Sequence, residues 1–226
     1  GFIGYLGANG SVENLGVVNA YVSGGDNTGG LVGAALGGAI ERCFFTGTIA
    51  GHGANTGGLA GYILNGTRIS SSYASATIFS SLTNVGGIVG NAGGGDACTL
   101  TNLYSSSMVH GKYASTGGVA GTSANASTSF SDCYYDSQLI DLPGQTPTSY
   151  GTGRATATMT ASLSLTGFTG QSGLYPYITG FDVSKAQVYL STVPLTLPDN
   201  YPLTSLTAPA TVTQAREPHR VGHVGE

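Results

Sequence analysis

The chain has very few charged residues. Asp, Glu, Lys and Arg together make up 8% of its 226 residues, against about 25% in an average soluble protein. The net charge of −4 gives no basic footprint, so we expect neither nucleic acid nor an anionic membrane surface as a partner. The hydrophobic share of 40% argues against a disordered chain, which would combine few apolar residues with many charges.

Long apolar runs are also missing. Residues 69–95 and 155–181 carry no charge, but Ser, Thr, Gly and Asn interrupt both stretches, which argues against membrane insertion. The chain opens at Gly1 without a Met or a secretory leader, which we interpret as an internal piece or a mature product of a longer protein.

Cysteine is scarce and proline is confined to one end. Cys43, Cys98 and Cys133 stand far apart, which argues against a disulfide scaffold or a zinc site, so we expect three unpaired, buried thiols. All eight prolines lie at or beyond Pro143. We therefore predict a repeat domain over residues 1–142, followed by a capping and linker segment over residues 143–226.

Glycine is abundant, and much of it falls in one repeated hexapeptide. The copies Thr-Gly-Gly-Leu-Val-Gly, Thr-Gly-Gly-Leu-Ala-Gly, Val-Gly-Gly-Ile-Val-Gly and Thr-Gly-Gly-Val-Ala-Gly begin at residues 28, 56, 85 and 116. Such a period, 28 to 31 residues here, is typical of a solenoid. We place Gly4-Tyr5-Leu6-Gly7 as an incomplete first copy, with Gly4 26 residues before Gly30. The glycines singled out as structural repeat residues are Gly29, Gly30, Gly33, Gly57, Gly58, Gly61, Gly86, Gly87, Gly90, Gly117, Gly118 and Gly121.

The repeat predicts an all-β fold. Its elements are too short and too rich in glycine for helices, since each interior glycine costs about 1 kcal/mol relative to alanine. Short β-branched and aromatic runs between glycine turns are typical of strands. About three strands per repeat make one coil, and parallel crossovers are almost always right-handed. We therefore predict a right-handed parallel β-helix (β-solenoid) of about five coils, followed by a Pro/Thr-rich β or linker segment.

Stacked coils should place equivalent residues in columns about 4.8 Å apart. Like charges at that spacing repel by about 1 kcal/mol even in water, which explains the low charge. We expect the paired glycines to supply positive φ angles at corners where a Cβ would clash. The predicted columns are Leu31, Leu59, Ile88 and Val119; Ile40, Ile69, Leu100 and Phe130; and the aromatic set Phe44, Tyr73, Tyr104 and Tyr134.

The Gly-Gly-Leu-Val-Gly core, followed by an Ile-x-x-Cys-Tyr-type strand, resembles the GLUG repeat of large bacterial surface exoproteins. These include filamentous-haemagglutinin-like adhesins and the non-catalytic part of some immunoglobulin-A-cleaving metalloproteases. Residues 132–136 and 151–159 resemble the segment that closes such arrays, with Tyr135 in place of the usual Trp. The resemblance covers residues 1 to about 160, and it implies a surface-exposed structural or adhesive role.

Candidate chemistry is sparse. The zinc-protease, phosphate-loop and serine-elbow motifs are absent, and His219 and His223 stand in a tail interrupted by proline and glycine. We expect no catalytic residue, cofactor or metal. The remaining acids that merit attention are Asp26, Asp96, Asp132, Asp136 and Asp141, which we interpret as solvated surface residues.

The sequence leaves three functional hypotheses. The first is a non-catalytic structural or adhesive module of an extracellular or cell-surface protein, forming a rigid stalk or filament. Its partners would be other copies or flanking modules stacked end to end, through an open N-terminal edge, and a host or matrix glycan or protein. The second is a carbohydrate-binding or polysaccharide-cleaving β-helix, which a groove lined by two or more acids would favour. The third is a flat Thr face that binds ice-like surfaces, which would need Thr-x-Thr in phase on every coil, whereas Thr156-Ala-Thr158 lies outside the array.

Overall fold

The computed structural model describes residues 1–181, apart from the side chains of Ser162 and Gln171. These residues form a parallel β-solenoid of five coils, which confirms the predicted fold class. Coils 2 and 3 hold four strands each, rather than the three expected, because the hexapeptide turns a corner after its first two residues. The predicted tail beyond residue 181, with His219 and His223, lies outside the described residues.

The strands stack on three faces. Face A contains β1 (Ile3–Leu6), β5 (Val32–Leu36), β9 (Ala60–Leu64), β13 (Val89–Ala92) and β17 (Ala120–Ser123). Face B contains β2 (Ser11–Glu13), β3 (Gly16–Gly24), β6 (Ala39–Glu41), β7 (Phe44–Gly51), β10 (Arg68–Ser70), β11 (Tyr73–Ser80), β14 (Thr99–Ser105), β15 (Met108–His110), β18 (Ser129–Asp136), β19 (Ile140–Asp141) and β20 (Thr152–Arg154). Face C contains β4 (Thr28–Gly29), β8 (Thr56–Gly57), β12 (Val85–Gly86) and β16 (Thr116–Gly117).

The predicted columns are confirmed by the strand register. Ile69 pairs with Ile40 on one side and with Leu100 on the other, and Leu100 pairs with Phe130. The backbone of the Leu31 column is linked coil to coil, because the Leu31 amide donates to the Leu59 carbonyl and the Leu59 amide donates to the Ile88 carbonyl. The side chains of this column are fully buried and, with those of the Ile40 column, form the interior of the solenoid.

The first coil corrects one predicted phase. Ile3 pairs with Val32 and Tyr5 with Ala34, so Gly4 lies beside Gly33 rather than beside Gly30. The chain between the first and second copies was therefore misaligned by three residues. Among the described residues, the strands of this coil pair on one side only, and Phe2 and Tyr5 are 70% and 62% exposed.

Residues after 142 continue to contact the solenoid. Strand β20 pairs with β18, and Thr148 forms a bridge with Gly117. Beyond a short 3-10 turn (Ser137–Leu139) and β20, the chain forms helix α1 (Thr156–Ser162) and an antiparallel hairpin of β21 (Phe168–Gln171) and β22 (Leu174–Ile178). We call residues 155–181 the clasp, because they pack against the side of the solenoid rather than across its end. No helix in residues 1–181 is long and apolar enough to cross a membrane.

Candidate functional site

The repeat glycines are required by close packing rather than by unusual backbone angles. None of the twelve has the positive φ expected from the sequence. A Cβ on Gly58 would stand 2.0 Å from the Gly87 carbonyl oxygen and 2.6 Å from the Ala74 Cβ. A Cβ on Gly118 would stand 2.0 Å from the Tyr135 ring, in the position equivalent to Ala74. The second glycine of each copy thus leaves room for a side chain from the long face B strand of the same coil.

The first and third glycines meet the backbone instead. A Cβ on Gly57 would lie 2.1 Å from the Ala60 carbonyl oxygen within the same turn. A Cβ on Gly90 would lie 2.6 Å from the carbonyl carbon of Asn55 in the preceding coil. The hexapeptide is therefore a corner in which neighbouring turns approach each other too closely for a side chain at any of its three glycines.

Eight of the ten described non-glycine residues with positive φ fall in two columns. Asn27, Asn55 and Asn84 adopt φ values of 57°, 64° and 63° just before the hexapeptide. Their amides form a ladder, in which Asn84 Nδ2 donates to Asn55 Oδ1 (2.7 Å) and Asn55 Nδ2 to Asn27 Oδ1 (2.8 Å). Asparagine tolerates the left-handed region better than most residues, so the position of these turns could have been predicted from the asparagines.

A second left-handed column turns the chain within face B. We call it the corner column; its φ values run from 47° to 59°, and its members are Asn14, Arg42, Ser71, Asn102 and Asp132. Two of these residues also bind the clasp. Arg42 donates to the Thr179 carbonyl (2.8 Å), and Asn102 exchanges two hydrogen bonds with the Thr166 backbone (2.7 and 3.0 Å).

The aromatic column lies on the outside of the solenoid, because it follows an inward-facing column by one residue along the strand. We call Phe44, Tyr73, Tyr104 and Tyr134 the aromatic ladder. The rings of Phe44 and Tyr73 stack with centroids 5.0 Å apart, and those of Tyr73 and Tyr104 with centroids 4.8 Å apart. The clasp covers the first three rings, which are at most 2% exposed.

Polar contacts accompany this burial. The Tyr104 hydroxyl donates to the Pro176 carbonyl, and the Tyr175 hydroxyl donates to Asp136. Burial raises the pKa of Tyr104 well above its usual value, and it also raises the pKa of Tyr73. Burial, and next the Asp136 carboxylate, raise the pKa of Tyr175. Each phenol is therefore held in its neutral form.

A groove of about 480 Å³ runs along face B of the first coils. We call it the carboxylate groove; its polar lining includes Asn9, Ser11, Glu13, Glu41, Arg68 and Thr99. Glu13 and Glu41 are register partners on adjacent coils, so two exposed carboxylates stack despite the predicted avoidance of like charges. Neither they nor Arg68 forms an ion pair within residues 1–181. Only aspartates were predicted as candidate acids, although Glu13 and Glu41 share one repeat phase.

The five aspartates predicted to be solvated surface residues do not lie together. Asp26, Asp96 and Asp132 are exposed, as expected, whereas Asp141 contacts His110 at 2.6 Å. Asp136 contradicts the prediction of a solvated residue. It is 1% exposed, and it accepts from the Gln138 amide as well as from Tyr175.

Sequence comparison decides what kind of repeat this is. A family model described as the GLUG motif matches residues 24–50 and again residues 52–78. Residues 24–78 therefore form a GLUG-repeat region. The later coils keep the same register, since Val85 pairs with Thr56 as Thr56 does with Thr28.

Structural comparison supports the fold. The chain is similar to the crystal structure of a candidate immunoglobulin A1 protease from Bacteroides ovatus, with a TM-score of 0.55 and 18% sequence identity. The alignment covers 78% of this chain and 62% of that one, so this chain spans less than two thirds of its length. A search of curated proteins found no match.

The three cysteines of the solenoid are buried free thiols. Register places Cys43 and Cys133 in one inward column, three coils apart, as predicted. Burial is the main cause of the raised pKa values of all three thiols, and that of Cys133 reaches about 12. Within residues 1–181, no three His, Cys, Asp or Glu side chains are grouped so that they could hold a metal ion.

Proposed function

We propose that this GLUG solenoid is a non-catalytic structural module of a cell-surface or secreted protein, which holds neighbouring modules at a fixed spacing. The observation that carries the proposal is the continuity of its inner columns. Leu31, Leu59, Ile88 and Val119 are fully buried, and their backbones are hydrogen-bonded from coil to coil. Each coil rests on the next, as a rigid spacer requires.

An extracellular location is part of the same proposal. The chain contains only seven lysines and arginines, and Arg68 lies within a strand paired on both sides. Such bonds resist trypsin because the local backbone must open before cleavage. We expect the bond after Arg68 to survive native digestion and to be cut rapidly in denaturant.

The N-terminal edge is the surface on which we expect a partner to stack. Strands β1, β2 and β3 have no partner on their outer side within residues 1–181, and Phe2 is exposed there. We propose that a further coil of the same repeat type stacks on this edge, since unpaired strand groups are a template for pairing. Hydrogen exchange in residues 1–10 of a chain extended by such a coil should slow; unchanged exchange would contradict stacking.

A mechanical experiment tests the spacer function. The chain is placed between two marker domains and stretched from its ends by atomic force microscopy. A spacer should keep its length until forces at which the marker domains themselves unfold. Extension of the solenoid at forces well below those that unfold the markers would contradict the proposal.

The carboxylate groove favours a second candidate function, the binding of a saccharide. Glu13 and Glu41 can accept hydrogen bonds from sugar hydroxyls, while Arg68 can donate. Two stacked carboxylates also repel by about 1 kcal/mol even in water. Hydrogen-bond donors on a ligand would reduce this repulsion, which favours binding in the groove.

Nuclear magnetic resonance titration with neutral oligosaccharides tests the groove. Binding should shift the amides of β2, β6 and β10, and Glu41→Gln should weaken it. Asp96→Asn is the matched control, since Asp96 is an exposed acid outside the groove. Shifts that ignore Glu41→Gln would exclude this site. Cleavage of a polysaccharide that Glu41→Gln abolishes would overturn the non-catalytic proposal.

A further inference from the structure

The clasp contacts coils that are not adjacent in the stack. In a solenoid each coil touches only its neighbours, so opening can spread one coil at a time. The clasp reaches Arg42 in coil 2, Asn102 in coil 4 and Asp136 in coil 5. At about 4.8 Å per coil, these contacts span roughly 14 Å along the stack.

The apolar contacts cover the same span. Phe181 packs edge-on against Phe44 in coil 2, with ring centroids 5.1 Å apart. Phe168 lies against both Tyr73 in coil 3 and Tyr104 in coil 4, at 6.2 and 5.8 Å. A separate apolar cluster therefore joins the outside of three coils to the clasp, apart from the inner core.

The extent of the ladder matches the extent of the clasp. Coil 1 has Gly16 in the position of Phe44, so the ladder ends where Phe181 packs. At the other end Tyr134 lies under the Arg154 guanidinium, 4.2 Å from the ring centroid, just before the clasp begins. The clasp thus covers the rings of coils 2 to 4, and Arg154 lies over the last ring of the ladder in coil 5.

We propose that the clasp locks coils 2 to 5 into one cooperative unit, so that none of them opens until the clasp detaches. This coupling is independent of what the module binds or spaces. It converts a stack of nearest-neighbour contacts into a segment with a single opening equilibrium. Coil 1, which lies beyond the ladder, opens separately.

Native-state hydrogen exchange of the full chain tests the lock. The reporters are the amides of Ala60 and Val89 on face A, which donate across coils to Ile88 and Val119. Asn102→Gly removes both bonds to Thr166 and also the bond from Asn102 to the Ser71 hydroxyl in coil 3, and it suits the left-handed backbone. Ser71→Gly removes this last bond while leaving both bonds to Thr166, and it measures what that bond contributes. Asp132→Gly is the matched control, since Asp132 occupies the same column and accepts nothing from the clasp within the described residues.

The lock predicts that Asn102→Gly speeds exchange at Ala60 and Val89 together, by about tenfold. Asp132→Gly should leave both rates unchanged. Phe168→Ala changes only the clasp side of the interface, and it should also speed both reporters by about tenfold or more. If either clasp variant speeds exchange only within residues 166–178, while both reporters keep their wild-type rates, the lock is disproved.

Discussion

Tyr73 and Tyr104 lie one coil apart with their rings 5° from parallel and their centroids 4.8 Å apart. Their spacing is that of the backbone itself, since stacked strands lie about 4.8 Å apart. The rings therefore stack without any adjustment of the strands. Such a pair contributes about 0.5–1.5 kcal/mol beyond the burial of its area. The repeat thus produces an aromatic surface, and the clasp buries it.

Tyr104 should separate the contribution of the ring from that of its hydroxyl. Tyr104→Phe leaves the Pro176 carbonyl without its donor, and we expect a loss of about 1–2 kcal/mol in the free energy of unfolding. Tyr104→Ala also removes the ring and should cost about 3–5 kcal/mol. Denaturant titration measures both. Tyr21→Phe, at a residue 59% exposed, should stay within about 0.5 kcal/mol. Equal effects of the two Phe variants would contradict the assigned hydrogen bond.

Gly58 should tolerate no side chain. The added Cβ would stand 2.0 Å from the Gly87 carbonyl oxygen, so we expect Gly58→Ala to destabilise the protein by more than about 2 kcal/mol. Gly94→Ala is the control, because nothing lies within 4 Å of its added Cβ. The midpoint of thermal unfolding compares the two. Similar midpoints would show that the corner can expand.

Alkaline pH should destabilise the fold. The folded-state pKa values of Cys133 and Tyr104 are raised above their unfolded values, 9.0 and 10.0. Their contribution is therefore fully present below those values and is lost as pH rises. For Cys133 the loss runs from pH 9 to about 12. The free energy of unfolding, measured from pH 7 to 11, should be flat at first and then fall. Cys133→Ala should reduce the slope just above pH 9; an unchanged slope would contradict the burial of this thiol.

The three thiols should remain unpaired under oxidising conditions. Cys43 and Cys133 stand in one column three coils apart, roughly 14 Å, whereas a bridge requires Cα atoms within about 7 Å. Mass measurement without reductant should find three free thiols. At pH 8 a thiol reagent should modify them only as fast as the protein unfolds, since burial keeps them protonated. A bridge between any two would refute the register.

The candidate surfaces could be predicted only in part. The aromatic residues were aligned correctly, because each follows an inward-facing position at the same phase of the repeat. That Asn102 binds Thr166 was not predictable, since residues 155–181 lack the period and so carry no phase. Glu13 and Glu41 were open to prediction, because both immediately precede the corner column. Gly4 was aligned with Gly30 instead of Gly33. The first copy is short, and its glycines match those of the second copy equally well in either register.

The sequence by itself determined the stack. A repeat of nearly constant length places Ile40, Ile69 and Leu100 in one column, because parallel coils pair residue with equivalent residue. The tertiary structure alone decided which columns face outward and what covers them. Cys43 points inward and Phe44 outward through the alternation of a strand. The outward rings are buried because a segment distant in sequence packs on them, and a contact between a repeat and a non-repeat has no period from which it can be read.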